Sequence, residues 1–529
     1  MCNQAFSARS TPALRGSAVR FLLALPGALS WTWLGVVAAA AATTWVGNLS
    51  AETIENGQQL DVWTPGNTAT NFDSLLVTGE SSRLTVWSPL VVQNDVTVTN
   101  NGELLRRSDG GITIGGDLRV DQGGKLTLDM EPHSLLTANR IFLDGFEATN
   151  GWLSGIGPFV TNSLSVSGGA RLAGVPTSAI TTDGTLTLNG GAFSMDPDDP
   201  GIMSLSLLRQ DGGEFYSRGK IATPIVMITA GGVAVSELTG VQEIYVDGSD
   251  GSFSLSESAS LTTVSVDGGW FTRPSTATLA TASLRVANTN ANVYGGDDLG
   301  VLTVDGADVR TSTGATGSIA IDKFSVSGTY HAPAQDLGAR LQIDDGVSTV
   351  LSPHLPWEYS TIGPGATVDF AQLDAAAANI SVDNAAFYAG SADSPSTLGS
   401  LLITGAGSSV GLGNTTIGQL SLSSGVEMNW GGGNSVTDQL GISDGSRLGL
   451  SEDLTCNQIS IYGTGSTIWH GESNVHARML RIVGPTNFSS RSGDTYSETI
   501  ILDDRAGFVA SEDMALWSVS VWRQSQFAK

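Results

Sequence analysis

The stretch "TLTLNGGAFSM", Thr185–Met195, alternates apolar and polar residues, breaks at a glycine pair and resumes the alternation. The same figure returns as "LRVDQGGKLTLD" (118–129), "LSVSGGARLAG" (164–174), "TVSVDGGWFTR" (263–273), "LTVDGADVRTS" (302–312) and "LGISDGSRLGL" (440–450). Alternation of period two marks a strand with one buried face. Glycine, Asn and Asp at the break supply a backbone with positive φ where a turn needs it. Each unit therefore reads as two short strands joined by a corner.

With the corner glycine as marker, the series runs Gly79, Gly102, Gly123, Gly145, Gly168, Gly190, Gly212, Gly231, Gly248 and Gly268, in steps of 17 to 23 residues. It continues through Gly306, Gly328 and Gly346, falters, and resumes at Gly405, Gly425, Gly445, Gly463 and Gly484. A period near twenty with strand chemistry is the signature of a solenoid. A lone unit has nothing to pack its apolar face against. Winding the strands into a coil turns those faces inward, and stacking coils about 4.8 Å apart pairs each strand's amides with its neighbours. The pattern predicts a single-stranded, right-handed parallel β-helix with coils of about 20 residues, roughly 100 Å long if some twenty coils stack. A β-sandwich array would repeat at about 100 residues with different strands in each unit, and the leucine-rich frame L-x-x-L-x-L-x-x-N is missing. "FAQLDAAAANI" (370–380) is the best helical stretch, and it falls where the glycine series falters.

A chain of 529 residues exceeds the size at which one globular core stops growing, about 250–300 residues. A solenoid escapes that limit because each repeat packs only on its neighbours. Composition agrees, with 66 glycines and only 14% charged residues. The chain divides into a signal segment (1–42), an N-terminal cap (43–73) with weaker alternation, and the repeats (74–529). The repeats run to "WSVSVWRQSQFAK" (517–529) without a capping element, which leads us to expect that the chain is truncated at its C-terminus.

Arg9, Arg15 and Arg20 precede the apolar run "FLLALPGALSWTWLGVVAAAAA" (21–42), which ends in small residues. That order is expected for a secretory signal cut near Ala38–Ala42. Its removal takes away three arginines and no acids, leaving 22 basic against 51 acidic residues and a net charge of −29. Such a polyanion repels nucleic acid and anionic lipid, and no membrane insertion is expected once the signal is gone. Of the two cysteines, Cys2 lies in the signal and precedes the apolar run, so neither an internal disulfide nor a lipid anchor is expected. Cys456 reads as a small buried hydrophobe.

With its "LTLNGG", "VSVDGG" and "LSVSGG" units over most of residues 74–512 behind a long N-terminal signal, the chain resembles secreted bacterial β-helix repeat proteins of the autotransporter-passenger kind. The resemblance implies an extracellular or cell-surface rod. It departs from that family in lacking the C-terminal membrane barrel with its terminal aromatic.

Many β-helix proteins cleave polysaccharides, and hydrolysis needs two carboxylates about 5–10 Å apart. The nearest match is Asp297 and Asp298 in "YGGDDLG", followed by His331 and Arg340. This set looks like the aspartate pair, histidine and basic residue of pectin hydrolases, although that family's N-T-D, G-H-G and R-I-K elements are absent. The bland alternative is an acidic corner with scattered His and Arg. Other acidic doublets (Asp198/Asp199, Asp344/Asp345, Asp503/Asp504) suggest weak calcium binding or ordinary corners, without the G-G-x-G-x-D or EF-hand frame. His133, His331, His354, His470 and His476 show no zinc spacing. Nucleophile-elbow, phosphate-loop and dinucleotide-binding signatures are missing too. Aromatics near corners remain: Trp270/Phe271, Trp357/Tyr359, Trp430 and Trp469. They either grip sugar rings on the outside or fill the coil interior.

Three functions follow as expectations. The first is a non-catalytic extracellular scaffold or adhesin without a cofactor, whose partners are glycans, matrix or other cells. The second is a secreted polysaccharide lyase or hydrolase centred on Asp297 and Asp298. The third is a purely structural surface-layer protein.

Overall fold

The computed structural model describes residues 35–36, 43–45, 48–49, 52–55, 57–62, 69–106, 111–128, 136–144, 152–154, 159–168, 170–175, 180–195, 202–311, 316–332, 335–344, 347–353, 355, 357–490, 495–503, 505–509, 514–521 and 525–528. Of residues 1–42, expected to be a signal, all but 35–36 lie outside these, as do His133, Asp198, Asp199, Asp345, His354 and Asp504. The described residues are all strand, turn and bend, with no helix, and carry parallel strands stacked in about 20-residue coils, a β-solenoid of about 19 turns. Two compact units make up the chain: one of residues 1–257 with 271–273, the other of 258–270 with 274–529.

Within the first unit, one inward position can be followed from coil to coil: Leu75, Val96, Leu118, Ile141, Leu164, Leu186, Leu208, Val226 and Ile244 pair in parallel register. All nine are buried. The opening motif's Leu186 and Leu188 belong to this stack, and Phe193 beyond the glycine pair lies on Phe215 of the next coil with ring centroids 5.3 Å apart. Burying each such side chain contributes about 1.5–3 kcal/mol. Residues 43–73, expected as a cap, already pair this way: Thr43–Trp45 with Leu60–Val62, and Glu52–Ile54 with Leu75–Val77.

In the second unit the same stack runs Ile380, Leu401, Leu420, Leu440, Ile459, Leu480 and Ile500. Two six-stranded parallel side sheets follow, one within residues 290–412 and one within 427–528. The only antiparallel pairing of this unit among the described residues is the hairpin Thr329–Ala332 with Gln335–Gly338. It leaves the coil after Gly328 and returns at Ala339, whose amide donates to the Gly328 carbonyl at 3.1 Å.

Of the sixteen marker glycines among the described residues, fifteen have positive φ, from Gly79 (99°) to Gly484 (90°); Gly145 and Gly346 lie outside the described residues. Where the series appeared to skip or falter, Asn288 (φ 53°), Gly365 (φ 74°) and Asn384 (φ 47°) make the corner. Asparagine tolerates the left-handed region well enough to stand in for glycine.

The helical expectation for 370–380 is wrong. Leu373–Asp383 is one strand, with Leu373, Ala375, Ala378, Ile380 and Val382 buried and Asp374, Ala376 and Ala377 exposed. Alanine's helix preference is worth only tenths of a kcal/mol per residue over its competitors. It is outweighed by pairing with the next coil, from Asp374↔Thr397 to Asp383↔Thr404.

Candidate functional site

Asp297 and Asp298 do not form a facing pair. Asp297 is 1% exposed, and its carboxylate accepts the amide of Leu279, one coil back, and that of Tyr294 in its own turn, both at 2.9 Å. Asp298 begins the next strand, Asp298–Asp305, and faces solvent. The geometry at Asp297 recurs down the unit with other residues. Ser396 Oγ accepts the Leu373 amide at 2.9 Å, Asn434 Oδ1 that of Thr415 at 2.8 Å, and Ser360 Oγ that of Phe324 at 3.1 Å. A polar side chain at the head of one coil thus satisfies a strand amide of the coil before it, the first of the strand at Leu279, Leu373 and Thr415 and an interior one at Phe324, which would otherwise be a costly buried orphan.

His331 sits on the hairpin strand Thr329–Ala332, across from Asp336; its side chain is not among those described. Arg340 lies in the side sheet, opposite Asp308 on one neighbour and Thr367 on the other. Asp298 belongs instead to the sheet that pairs it with Ala280 and Ala320. The four residues of the hydrolase-like set are thus distributed over a corner, a strand start, a hairpin and a different sheet.

The aromatics divide cleanly. Phe271 is buried and stacks on Phe253, centroids 6.1 Å apart and planes 5° apart, whereas Trp270 is half exposed. Trp430 is wholly buried, with no hydrogen-bond partner at its indole nitrogen. Trp469 is about half exposed, its ring edge 3.5 Å from where a Cβ on Gly449 would stand. Trp357 is 73% exposed, on a turn held by the Asn379 amide, which donates to the carbonyls of Leu355 (2.9 Å) and Glu358 (3.0 Å). Tyr359 is half-buried in the same segment.

Among the described residues no three of His, Cys, Asp and Glu are grouped to hold a metal ion. His470 is fully buried, with Nδ1 2.9 Å from the Ser473 carbonyl and its ring 5.4 Å from that of Phe488. The neutral tautomer with a proton on Nδ1 meets that carbonyl. Burial holds the His470 pKa below its usual value, the Ser473 contact opposing this in part. Cys456 is buried, its thiol donates to the Gln458 carbonyl at 3.4 Å, and burial pushes its pKa up to about 12. It is accordingly a poor nucleophile.

Sequence reasoning passed over the outward row of the first side sheet, Asn292, Arg310, Gln342, Asp369 and Tyr388, which parallel pairing brings into line. Aligning the segments that follow each corner, "NANV", "DVRT", "RLQI", "TVDF" and "AFYA", would have found it. Comparison with protein families, with curated proteins and with solved structures finds no match.

Proposed function

We propose that this chain is a non-catalytic, secreted scaffold or adhesin that presents the outer surface of its coils to glycans, matrix or other cells. The observation carrying this reading is the commitment of Asp297 to two backbone amides: the best catalytic candidate of the sequence works as a corner cap, as Ser396 and Asn434 do in other coils. Asp297 is 1% exposed and each of its carboxylate oxygens accepts a backbone amide, so the group is turned into the corner and away from a substrate in solvent. Extended repeat surfaces suit binding over a large area, and the acidic chain stays soluble while repelling nucleic acid.

The test offers the purified chain to an array of neutral and acidic glycans and to whole cells. Retention on glycans or cells supports an adhesin. Absence of retention on every surface favours the structural-layer alternative. Export is tested by the N-terminus of the protein recovered from culture medium, expected close to Thr43.

A further inference from the structure

We propose that the outward face of the side sheet within residues 290–412 binds a neutral, extended polysaccharide, an inference that rests on the adhesin reading above and gives it a ligand class. The sheet comprises Asn290–Val293, Asp308–Thr311, Arg340–Ile343, Thr367–Phe370, Ala386–Ala389 and Ser409–Leu412. Its inward side chains, among them Val309, Leu341, Val368 and Phe387, are fully buried, which fixes the opposite set outward. One outward row reads Asn292, Arg310, Gln342, Asp369, Tyr388 and Gly411, with successive members about 4.8 Å apart by parallel pairing. The other reads Asn290, Asp308, Arg340, Thr367, Ala386 and Ser409.

The chemistry of this array is that of sugar recognition. A sugar hydroxyl both donates and accepts, and the first row supplies amides that do both, a guanidinium that donates and a carboxylate that accepts. These groups are planar and held in place: Arg310 grips the nearly buried Asp308 through two guanidinium nitrogens, Nε at 2.7 Å, and Gln342 donates to Asp344 at 2.6 Å. At the end of the row the Tyr388 ring lies across Gly411, with Cδ1 2.7 Å from where a Cβ there would stand. Only a glycine lets the ring settle on the strand, and Tyr388 remains 39% exposed. An aromatic face offers apolar area to the C–H face of a pyranose ring, and its hydroxyl stays wet.

Charge selects a neutral ligand. The chain carries −26, yet on this face Arg310 and Arg340, two of the three basic residues between 290 and 412, offset two of the three carboxylates Asp308, Asp344 and Asp369, which leaves the face close to neutral. A polyanion meets long-range repulsion and no compensating local field. The repetition of polar groups at the coil spacing fits a polymer rather than a small molecule.

The test is affinity electrophoresis of the full chain in gels containing soluble neutral polysaccharides (a substituted cellulose, a β-1,3-glucan, a galactomannan), with alginate and pectate as anionic arms. Circular dichroism establishes that each variant keeps its β-structure. Neutral polysaccharide should retard the chain, with little change up to about 0.5 M salt. Tyr388→Ala and Asn292→Ala/Gln342→Ala should each weaken retardation about tenfold, and Tyr388→Phe and Trp270→Ala should leave it near wild type. Full retardation of Tyr388→Ala, preference for the anionic gels, or no retardation in any gel overturns the inference. Retardation lost only in Trp270→Ala overturns it while leaving the adhesin reading standing, and release of reducing ends or unsaturated products overturns that reading itself.

Discussion

Asp297 Oδ1 accepts the backbone amide of Leu279, eighteen residues earlier and one coil away, at 2.9 Å. The carboxylate that reads in sequence as half of a catalytic pair is thereby a joint between coils. Asp297→Ala leaves the amides of Leu279 and Tyr294 buried without that acceptor, at a cost of about 1–3 kcal/mol each. Because long repeat arrays lose two-state cooperativity, the loss is best read as faster hydrogen exchange at those two amides. Asp298→Asn, on an exposed side chain, should leave exchange unchanged, and Asp297→Asn, which keeps an acceptor oxygen, should fall between.

Strand Leu373–Asp383 provides a second test, because alanines in a strand and in a helix differ in which neighbours face inward. Ala375 is fully buried and Ala376 exposed. Ala375→Asp should destabilise the coil by several kcal/mol through an unpaired buried charge, and Ala376→Asp should stay within about 0.5 kcal/mol. Urea melts followed by tryptophan fluorescence distinguish the two. Equal effects would mean that the alternation assigned here is wrong.

His470 makes stability depend on pH. Burial lowers its pKa in the folded chain, so between its unfolded value of 6.5 and that lower folded value the unfolded chain binds a proton that the folded chain refuses. Stability from this site is present above 6.5 and declines as pH falls below it. His470→Gln should flatten that part of the pH profile. The carboxyls of Asp117 (bonded to Arg140), Asp267 (to Asn288) and Asp453 (to Asn474) are lowered below 3.8, and their contribution is lost only as pH falls through that more acidic range.

Cys456, with its thiol pKa raised to about 12, should resist alkylation in the native chain at pH 8 and react completely in denaturant. Intact-mass measurement after iodoacetamide reads this directly. Rapid labelling of native protein would mean that the Cys456 coil opens readily.

The coil was legible because its determinants are local: period-two alternation and a corner glycine, both plain in Thr185–Met195. The corners at Asn288 and Asn384 were missed because the left-handed backbone there is made by asparagine rather than glycine. The strand at 373–383 was missed because alanine marks no face until the neighbouring coil assigns one. The Asn292–Tyr388 row was hidden because its members are 18, 32, 27 and 19 residues apart, and the insertion of the Thr329–Gly338 hairpin breaks the period between Arg310 and Gln342. Asp297 and Asp298 misled for the converse reason: neighbours in sequence, they are parted by the corner, where Asp297 turns inward onto two amides and Asp298 begins the strand facing solvent.

The most direct test of the central claim, that this β-solenoid binds without cutting, is a turnover assay. The purified chain is incubated for a day with neutral and acidic polysaccharides, and reducing ends and unsaturated products are monitored. No product above the blank is expected from wild type, Asp298→Asn or Asp297→Asn. Product formed by wild type and abolished by Asp298→Asn would contradict it and establish a polysaccharide-degrading enzyme.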